Sequence, residues 1–283
     1  MTLVSATELA DLLASDEPVR VLDVRWSLAE PDGRAAYAAG HIPGAVYVDL
    51  ESDLSDHTVP GRGRHPLPSA DALEAALRRW GVDNGDTVVV YDDWNRAGSA
   101  RAWWLLRAAG LEDVRILDGG WAAWRAAGGA ESTEAVRPQC GSITLGRRDF
   151  YAGALATLTA SESADLARAG VLLDARAPER FRGEVEPIDP VAGHIPGAAN
   201  LPSTALLGED GRFAPADDLR ALFAAHGVDG ERGAGTYCGS GVTAAVVVAA
   251  AEVAGIDLAL FPGSWSQWSS DPTNPVETGP ATV

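Results

Sequence analysis

The sequence predicts an α/β protein in which one domain occurs twice in tandem, each copy a parallel β-sheet flanked by helices. Two observations lead to this prediction. A series of motifs returns in the same order in the second half of the chain, and short β-branched runs alternate with helical patterns in both halves. The chain has 283 residues, of which 46% are hydrophobic. This length suits two domains of ordinary size, and the composition is typical of a globular protein.

The duplication is clearest in a six-residue motif. Gly-His-Ile-Pro-Gly-Ala occupies residues 40–45 and returns at residues 193–198. An apolar run that ends in Asp23 precedes the first motif, and one that ends in Asp174 precedes the second. The other matched pairs are residues 5–8 with 159–162, 87–93 with 234–240, and 120–124 with 264–268. Ordered matches of this kind indicate two copies of one supersecondary unit.

The duplication also predicts the domain boundaries. We expect one domain at residues 1–130 and a second at residues 155–283. The intervening segment, residues 131–154, is rich in glycine, serine and charged residues, which is typical of a linker. It contains Cys140, which no glycine-rich turn or helix start follows, and we expect this cysteine to be a bystander.

The apolar runs do not alternate with polar residues, which predicts parallel strands covered on both faces. The predicted strands are residues 19–24, 87–92 and 114–117 in the first copy, and 171–174, 199–201, 234–237 and 258–261 in the second. The predicted helices are residues 6–14, 70–80, 97–109 and 121–127, followed by 160–169, 216–226 and 243–254. Residues 5–8 and 159–162 each have the capping-box pattern that starts a helix.

Charge and hydropathy exclude several function classes. The 22 basic residues, all arginine, are outnumbered by 40 acidic ones, which gives a net charge of -18. A field this negative argues against nucleic acid and anionic membranes as partners, and an anionic substrate would need a local cluster of cations. The longest apolar run, residues 244–251, is far shorter than the ~20 residues of a membrane span. Residues 1–13 lack a signal-peptide pattern and two cysteines form no disulfide framework, so we expect a cytoplasmic protein.

One cysteine stands where α/β proteins place their chemistry. Cys238 follows the predicted strand 234–237, and the loop Cys-Gly-Ser-Gly-Val-Thr-Ala leads from it into the predicted helix. Two glycines allow a tight turn whose backbone N–H groups point inward, and the helix start adds partial positive charge. Both effects favour the thiolate over the thiol. The sequence therefore predicts a nucleophilic cysteine, with a buried and inert cysteine as the alternative.

Two further comparisons bear on this loop. Cysteine-dependent phosphatases carry an arginine at the sixth position after the cysteine, whereas this chain has Ala244 there, which argues against a phosphatase. In the first copy Asp92 stands where Cys238 stands, and a carboxylate cannot carry a sulfur atom. We therefore expect the first domain to be catalytically silent, although a second, unrelated site in it stays open. The sequence has no metal-ligand spacing and no phosphate loop, so we expect no metal and no cofactor.

At this point the chain resembles the two-domain rhodanese sulfurtransferases. The resemblance rests on the paired Gly-His-Ile-Pro-Gly-Ala motifs, on Asp-Val-Arg and Asp-Ala-Arg at the strand ends, and on the loop that starts at Cys238. It implies two tandem rhodanese-like domains, each with a five-stranded parallel sheet, and a C-terminal cysteine that cycles through a persulfide. Thiosulfate or 3-mercaptopyruvate is the donor in that family. Thiosulfate enzymes typically have basic residues directly after the cysteine, whereas 3-mercaptopyruvate enzymes carry the loop found here.

The resemblance also implies residues that bind the donor. Arg180 matches the arginine that contacts the donor's anionic group, and Arg182 is expected to assist it. A second substrate arginine is expected where this chain has Ile188 or Asp189, and its replacement leaves the preferred donor open. The alternative for Arg180 is a surface ion pair with a neighbouring glutamate, Glu179 or Glu184.

A proton relay is the third implication. Glu51 and His65 match the acidic residue and the histidine of a relay to the loop serine, Ser240. The alternatives are a structural role for His65 and a turn role for Ser240. The other loop residues are expected to hold the donor and the persulfide through their backbone N–H groups: Gly239, Gly241, Val242 and Thr243. His41 and His194 occur in both copies, which predicts a structural role for them.

The sequence thus predicts a sulfurtransferase that uses Cys238 as its nucleophile. The expected partners are a small anionic sulfur donor, either 3-mercaptopyruvate or thiosulfate, and an acceptor such as cyanide, a thiol or a thioredoxin-like protein. A non-catalytic module that binds or carries sulfur is the alternative of a different class.

Overall fold

The structure is a computed structural model that describes residues 1–280. Contacts divide the described chain into two units, which do not follow the chain continuously. Unit 1 comprises residues 1–56, 67–154 and 207–213, and unit 2 comprises residues 57–66, 155–206 and the described residues from Ala214 onward. The segment that carries His65 therefore belongs to unit 2, although its flanking segments belong to unit 1. Unit 1 also contains the predicted linker, where the N–H and the hydroxyl of Ser142 both donate to Asp83.

Unit 1 contains a parallel sheet of five strands. Among the described residues these strands are β1 (Leu3–Val4), β2 (Val19–Asp23), β3 (Val46–Tyr47), β4 (Thr87–Tyr91) and β5 (Val114–Leu117). Their spatial order is β1-β5-β4-β2-β3, with β4 at the centre. Every residue of β4 is buried, as the non-alternating apolar run predicts. The five strands agree with the number that the family resemblance implies.

The helices of unit 1 connect these strands. They are α1 (Ala6–Ala14), α2 (Arg34–Ala39), α3 (Leu50–Asp53), α4 (Ala70–Arg79), α5 (Ala97–Ala108) and α6 (Gly120–Ala126), with a short 3₁₀ helix at Phe150–Ala152. Four of them agree with the predicted helices to within a residue or two. The two short helices α2 and α3 have too few residues for a recognisable apolar period, which is why the sequence did not predict them.

Unit 2 repeats this arrangement with one strand fewer. Its strands among the described residues are β6 (Val171–Asp174), β7 (Ala199–Asn200), β8 (Ala234–Tyr237) and β9 (Ala259–Leu260), in the parallel order β7-β6-β8-β9. At the edge position that β1 holds in unit 1, Thr157 makes only a single parallel bridge to Leu260. The expectation of five strands in each domain is therefore wrong for unit 2, because the extended backbone around Thr157 makes one bridge and not a ladder.

The helices of unit 2 are α7 (Ala160–Ala169), α8 (Pro178–Phe181), α9 (Ala216–Ala225), α10 (Ala244–Ala254) and α11 (Ser264–Trp268), with a 3₁₀ helix at Ser203–Leu206. Helix α10 is apolar around almost its whole circumference, and nine of its residues are buried. Such a helix is stable only inside a packed layer. No helix within residues 1–280 is both long enough and apolar enough to cross a membrane.

The duplicated helix starts are confirmed in atomic detail. Ser5 caps α1 and Thr159 caps α7, and in each case the side chain accepts from the backbone N–H of a glutamate three residues later. The carboxylates of Glu8 and Glu162 in turn accept a hydrogen bond from the backbone N–H of the capping residue. These reciprocal bonds satisfy N–H groups that a helix start leaves without partners. Both capping boxes were predicted from the sequence.

The duplicated histidines hold the turns in which they lie. His41 Nδ1 lies 2.8 Å from the carbonyl oxygen of Tyr37, and His194 Nδ1 lies 2.7 Å from that of Phe181. Each imidazole also stacks on the aromatic ring of the same partner residue. The structural role predicted for the two histidines is confirmed by these contacts.

Unit 1 buries a carboxyl group at the end of β2. Asp23 is fully buried, accepts a hydrogen bond from the hydroxyl of Tyr91 and lies 3.1 Å from Nη2 of Arg25. Burial raises the pKa of Asp23 from its ordinary 3.8 to about 6, against the opposing effect of Arg25. The folded protein therefore binds more protons at this site than the unfolded chain does between these two pH values.

We expect this carboxyl group to make stability depend on pH. Because the folded pKa lies above the unfolded one, the contribution of Asp23 is present near pH 4 and is lost as the pH rises through about 6, by up to about 3 kcal/mol. Urea unfolding of the wild type and of Asp23→Asn at several pH values between about 4 and 7 measures this effect. The difference in unfolding free energy between the two proteins should shrink with rising pH, and a constant difference would contradict the assignment.

Candidate active site

The candidate catalytic loop, residues 238–244, begins where a central strand of unit 2 ends. Strand β8 lies between β6 and β9, and Cys238 follows its last residue, Tyr237, at the carboxyl edge of the sheet. The backbone of Cys238 is held on both sides, since its N–H donates to Ser264 Oγ at 3.1 Å and its carbonyl accepts from Trp265 N at 3.0 Å. Cys238 is only 1% exposed. The loop therefore fixes the position of the sulfur atom and shields it from bulk water.

One amide of the loop points at the sulfur. The N–H of Gly241 donates to Cys238 Sγ at 3.2 Å, and Ala244 begins helix α10 three residues later. Gly241 has φ +77°, and a Cβ atom there would lie 2.4 Å from the carbonyl oxygen of Pro262. Only glycine tolerates both conditions, so this residue is what lets the chain curl around the sulfur. The sulfur atom of Cys238 therefore accepts a backbone N–H within the loop that leads into α10.

Ser264 is a positioning residue that the sequence analysis missed. It is fully buried with φ +53°, a conformation that is strained for a residue other than glycine. Its counterpart in the first copy is Gly120, which has the same φ. The hydroxyl of Ser264 accepts from the N–H of Cys238 and donates to the carbonyl of Phe261 at 2.9 Å. The sequence does show that a serine in the second copy replaces a glycine of the first, and this difference could have pointed to Ser264.

The segment 57–66 brings a histidine to the loop. His65 is 3% exposed, and its Nδ1 lies 2.7 Å from Ser240 Oγ. The segment is anchored by the N–H of Arg64, which donates to Ser266 Oγ at 2.9 Å. At Gly63 a Cβ atom would lie 2.4 Å from the carbonyl oxygen of Gly263, so the two backbones touch there. Two of the three predicted relay residues are thus hydrogen-bonded to each other within unit 2.

The third relay residue lies in unit 1. Glu51 belongs to α3, and its carboxylate accepts a 2.6 Å hydrogen bond from the indole N–H of Trp26. Its part in the relay stays a prediction. In the catalytic loop itself, Val242 is buried and Thr243 occupies the N-cap position of α10. The carbonyl of Gly239 accepts from the N–H of Ser266 at 2.9 Å, which ties the loop to α11.

The two arginines predicted to bind the donor differ in their surroundings. Arg180 is largely buried and donates to Glu186 through Nη2 at 2.6 Å. Arg182 forms an exposed ion pair with Glu184, at 2.7 Å and 2.9 Å. The alternative pairing of Arg180 with Glu179 or Glu184 is wrong, because the guanidinium turns inward to Glu186.

The sequence analysis also gave no role to Arg64, which lies beside the candidate catalytic loop. Its Nη1 donates to Asp189 Oδ1 at 2.7 Å, with the aspartate side chain 4% exposed. Sequence comparison expected an arginine near position 189, and the structure has an aspartate there that holds an arginine from another segment. The signal was its place directly before His65, since a loop that delivers one side chain to a site also delivers its neighbour.

The two carboxylates that pair with Arg64 and Arg180 have shifted pKa values. Burial raises the pKa of Asp189 above its ordinary value, and the nearby Arg64 only partly offsets this effect. Burial acts in the same direction on Glu186, but hydrogen bonds from Arg180 and from backbone N–H groups lower its pKa overall. The charge of Glu186 is thus held more firmly than that of Asp189.

In the equivalent loop of unit 1, the carboxylate of Asp92 is bound by residues of the same loop and of helix α5. The carbonyl of Asp92 accepts from Trp121 N at 2.9 Å, as that of Cys238 does from Trp265 N. The Asp92 carboxylate accepts from the N–H and hydroxyl of Ser99 and pairs with Arg96 Nη2 at 2.9 Å. Its hydrogen-bonding capacity is therefore used inside unit 1. Among residues 1–280, no group of three or more histidine, cysteine or acidic residues is arranged to hold a metal ion.

Comparison with known proteins identifies the family and its fold. The sequence profile of the rhodanese-like domain matches residues 5–127 and 159–271. The chain therefore belongs to the rhodanese-like family and contains two copies of its domain.

Named relatives match over nearly their whole length. A Mycobacterium tuberculosis protein, SseB, provisionally named a thiosulfate sulfurtransferase, is 60% identical over 99% of this chain and 98% of its own. A Pseudomonas aeruginosa protein, provisionally named a 3-mercaptopyruvate sulfurtransferase, is 47% identical over 98% of each chain. The crystal structure of the Escherichia coli 3-mercaptopyruvate enzyme SseA superposes with a TM-score of 0.81 at 34% identity, covering 94% of this chain and all of the other.

Proposed function

We propose that this protein is a sulfurtransferase that moves a sulfane sulfur from 3-mercaptopyruvate or thiosulfate to a thiophilic acceptor through a persulfide on Cys238. One observation carries the proposal: Cys238 Sγ accepts a hydrogen bond from the N–H of Gly241, in the loop that leads into the buried helix α10. Negative charge on sulfur is stabilised there both before and after a sulfur atom is added. The names of relatives from three bacteria support the sulfurtransferase class.

With thiosulfate, the first half-reaction needs no proton. The Cys238 thiolate attacks the outer sulfur of the donor, a new S–S bond forms, and the bond between the two donor sulfurs breaks. The electron pair of that bond leaves with sulfite. The products are sulfite and the persulfide anion on Cys238, so charge and atoms balance.

With 3-mercaptopyruvate, the first half-reaction needs a proton transfer. The thiolate attacks the donor sulfur, the C–S bond breaks, and its electron pair leaves with the carbon as the enolate of pyruvate. The proton of the donor's thiol balances the proton that the enolate takes up. The hydrogen-bonded pair of Ser240 and His65 is suited to carry this proton, since a hydroxyl and an imidazole can each donate and accept.

The second half-reaction regenerates the thiolate. Cyanide attacks the outer sulfur of the persulfide, a C–S bond forms, the S–S bond breaks, and thiocyanate leaves. A thiol, free or on a protein such as a thioredoxin-like one, accepts the sulfur in the same way. The two half-reactions predict ping-pong kinetics. Unit 1 is catalytically silent in this proposal, because Asp92 stands at the cysteine position.

We expect parallel kinetics with the two donors to separate the roles in the loop. Ser240→Ala should lower kcat/KM with 3-mercaptopyruvate by about a hundredfold, because the leaving enolate loses its proton carrier. The loss with thiosulfate should be at least tenfold smaller, because sulfite leaves without a proton. Steady-state rates at saturating cyanide measure both values.

Ser161→Ala is the matched control, because Ser161 is exposed on α7, and both rates should stay at the wild-type level. Equal losses with the two donors in Ser240→Ala would contradict the proton-transfer role. Absence of turnover with either donor in the wild type would contradict the proposed function itself.

A further inference from the structure

Two guanidinium groups converge beside the nucleophile. A Cβ atom built on Gly239, the residue after Cys238, would lie 3.1 Å from Nη2 of Arg64 and 3.6 Å from Nη1 of Arg180. The two arginines come from different segments, one before β4 and one in α8. Both therefore approach the same side of the catalytic loop, within one residue of the sulfur that reacts.

Each of the two arginines, Arg64 and Arg180, has a guanidinium nitrogen near the loop whose N–H groups are unused. Arg64 uses Nη1 for Asp189, and its Nε is buried without a hydrogen-bond partner. Arg180 uses Nε and Nη2 for Glu186 and Asp189. Neither Nη2 of Arg64 nor Nη1 of Arg180 hydrogen-bonds to any residue in the described range 1–280. A guanidinium fork with unused N–H groups is the group that binds carboxylates and oxyanions of sulfur.

A carboxylate links the two cations. Asp189 Oδ1 lies 2.7 Å from Arg64 Nη1, and Asp189 Oδ2 lies 3.4 Å from Arg180 Nη2. The aspartate thus spans the gap between the guanidiniums with one oxygen on each. This is the arrangement expected of an anion that neutralises a pair of cations while no substrate is present.

We propose that Arg64 and Arg180 together form the subsite for the anionic group of the sulfur donor, with Asp189 as a counter-ion that competes with the donor for the same two cations. This proposal rests on the proposed function for the identity of the donor. The donor's carboxylate or sulfonate lies across the two unused guanidinium nitrogens and presents its sulfur to Cys238. Arg64 is a donor-binding residue in this scheme and supplies a second cation where the sequence at positions 188 and 189 has none.

The charge of the cluster explains why the counter-ion matters. Arg64 and Arg180 carry two positive charges, and Glu186 and Asp189 carry two negative charges. Arg176 also pairs with Glu186, and Asp174 balances the charge of Arg176, so the cluster is neutral without a donor. An arriving anion gains most if one carboxylate releases its arginines. Asp189 is the one to do so, because its contact to Arg180 is the longer one and Glu186 holds Arg180 through two nitrogens.

The test is the donor half-reaction in Arg64→Gln and Asp189→Asn. In Arg64→Gln, the rate constant for sulfur loading per donor concentration should fall by about tenfold or more with both anionic donors. Release of sulfur from the loaded enzyme to a neutral thiol should stay unchanged. In Asp189→Asn the KM for the donor should fall by about threefold, because the competing carboxylate is gone. Arg64→Lys should recover part of the loss.

The opposite signs separate this proposal from a purely structural ion-pair cluster. If the cluster only supported the loop, both substitutions would weaken donor use and sulfur release alike, and that result would overturn the proposal. Arg168→Gln is the matched control, since Arg168 pairs with Asp165 on the exposed surface of α7. The end of α7 leads directly into β6, which places it at the opposite edge of the sheet from the catalytic loop.

A binding measurement keeps the proposal independent of turnover. Isothermal titration calorimetry measures the dissociation constant of thiosulfate for Cys238→Ser and for the double variant Cys238→Ser with Arg64→Gln. The dissociation constant should rise about tenfold or more when Arg64 is replaced. Equal constants would overturn the subsite. If the wild type transfers no sulfur but binding still depends on Arg64, the proposed function fails and the anion subsite stands.

Discussion

Replacement of Cys238 by serine is expected to abolish sulfur loading, by at least about a thousandfold. The hydroxyl keeps the position and the hydrogen bond from Gly241, but serine supplies no thiolate and cannot form a persulfide. Intact-mass spectrometry after exposure to donor measures the outcome. The wild type should gain the mass of one sulfur atom, which cyanide removes, and Cys238→Ser should gain nothing.

Cys140→Ser is the matched control for this experiment. Cys140 is exposed within the segment 131–154, so its replacement should leave sulfur loading unchanged and shift the unfolding free energy by no more than about 0.5 kcal/mol. Undiminished loading in Cys238→Ser would contradict the persulfide mechanism. A wild-type protein whose Cys238 never takes up sulfur would favour the non-catalytic binding module.

The second large effect is expected from Gly241→Ala. The new Cβ atom would lie 2.4 Å from the carbonyl oxygen of Pro262, and φ +77° is unfavourable for alanine. We expect a loss of about 3 kcal/mol or more in unfolding free energy. Because the loop must shift to relieve the contact, the N–H of residue 241 moves away from Cys238 Sγ and sulfur loading should be lost even while the protein is folded.

Gly255→Ala separates backbone strain from the steric contact. Gly255 ends α10 with φ +74°, almost the same as Gly241, but no atom lies within 4 Å of a Cβ built there. Its replacement should cost about 1 kcal/mol and leave sulfur loading intact. Urea unfolding together with the mass assay measures both variants. Equal losses of unfolding free energy in the two variants would show that the contact with Pro262 does not destabilise Gly241→Ala.

The two copies of the domain show how one scaffold diverges. In each copy, the carbonyl of the residue after the central strand accepts a hydrogen bond from the backbone N–H of a tryptophan, Trp121 in one copy and Trp265 in the other. In one copy that residue is Asp92, whose charge is matched by Arg96 inside the loop. In the other it is Cys238, beside guanidiniums that leave N–H groups unused. The backbone frame is thus common to both copies, and the charges around the loop differ.

Most of the fold was readable from the sequence, because its signals are local. The buried strand β4 and the apolar helix α10 follow from unbroken apolar runs, and the capping boxes at Ser5 and Thr159 follow from four-residue patterns. The reduced edge strand at Thr157 was not readable, because a ladder or a single bridge depends on how the neighbouring strand lies.

The amino-acid order by itself determined the duplication, the strand that delivers Cys238 and the glycines that curl the loop, since each depends on residues close together in the chain. Only the tertiary structure decided which side chains meet the loop. His65 reaches Ser240 across 175 positions, and Arg64 reaches Asp189 across 125. Contacts between residues so far apart depend on the packing of whole segments, and no short pattern encodes them.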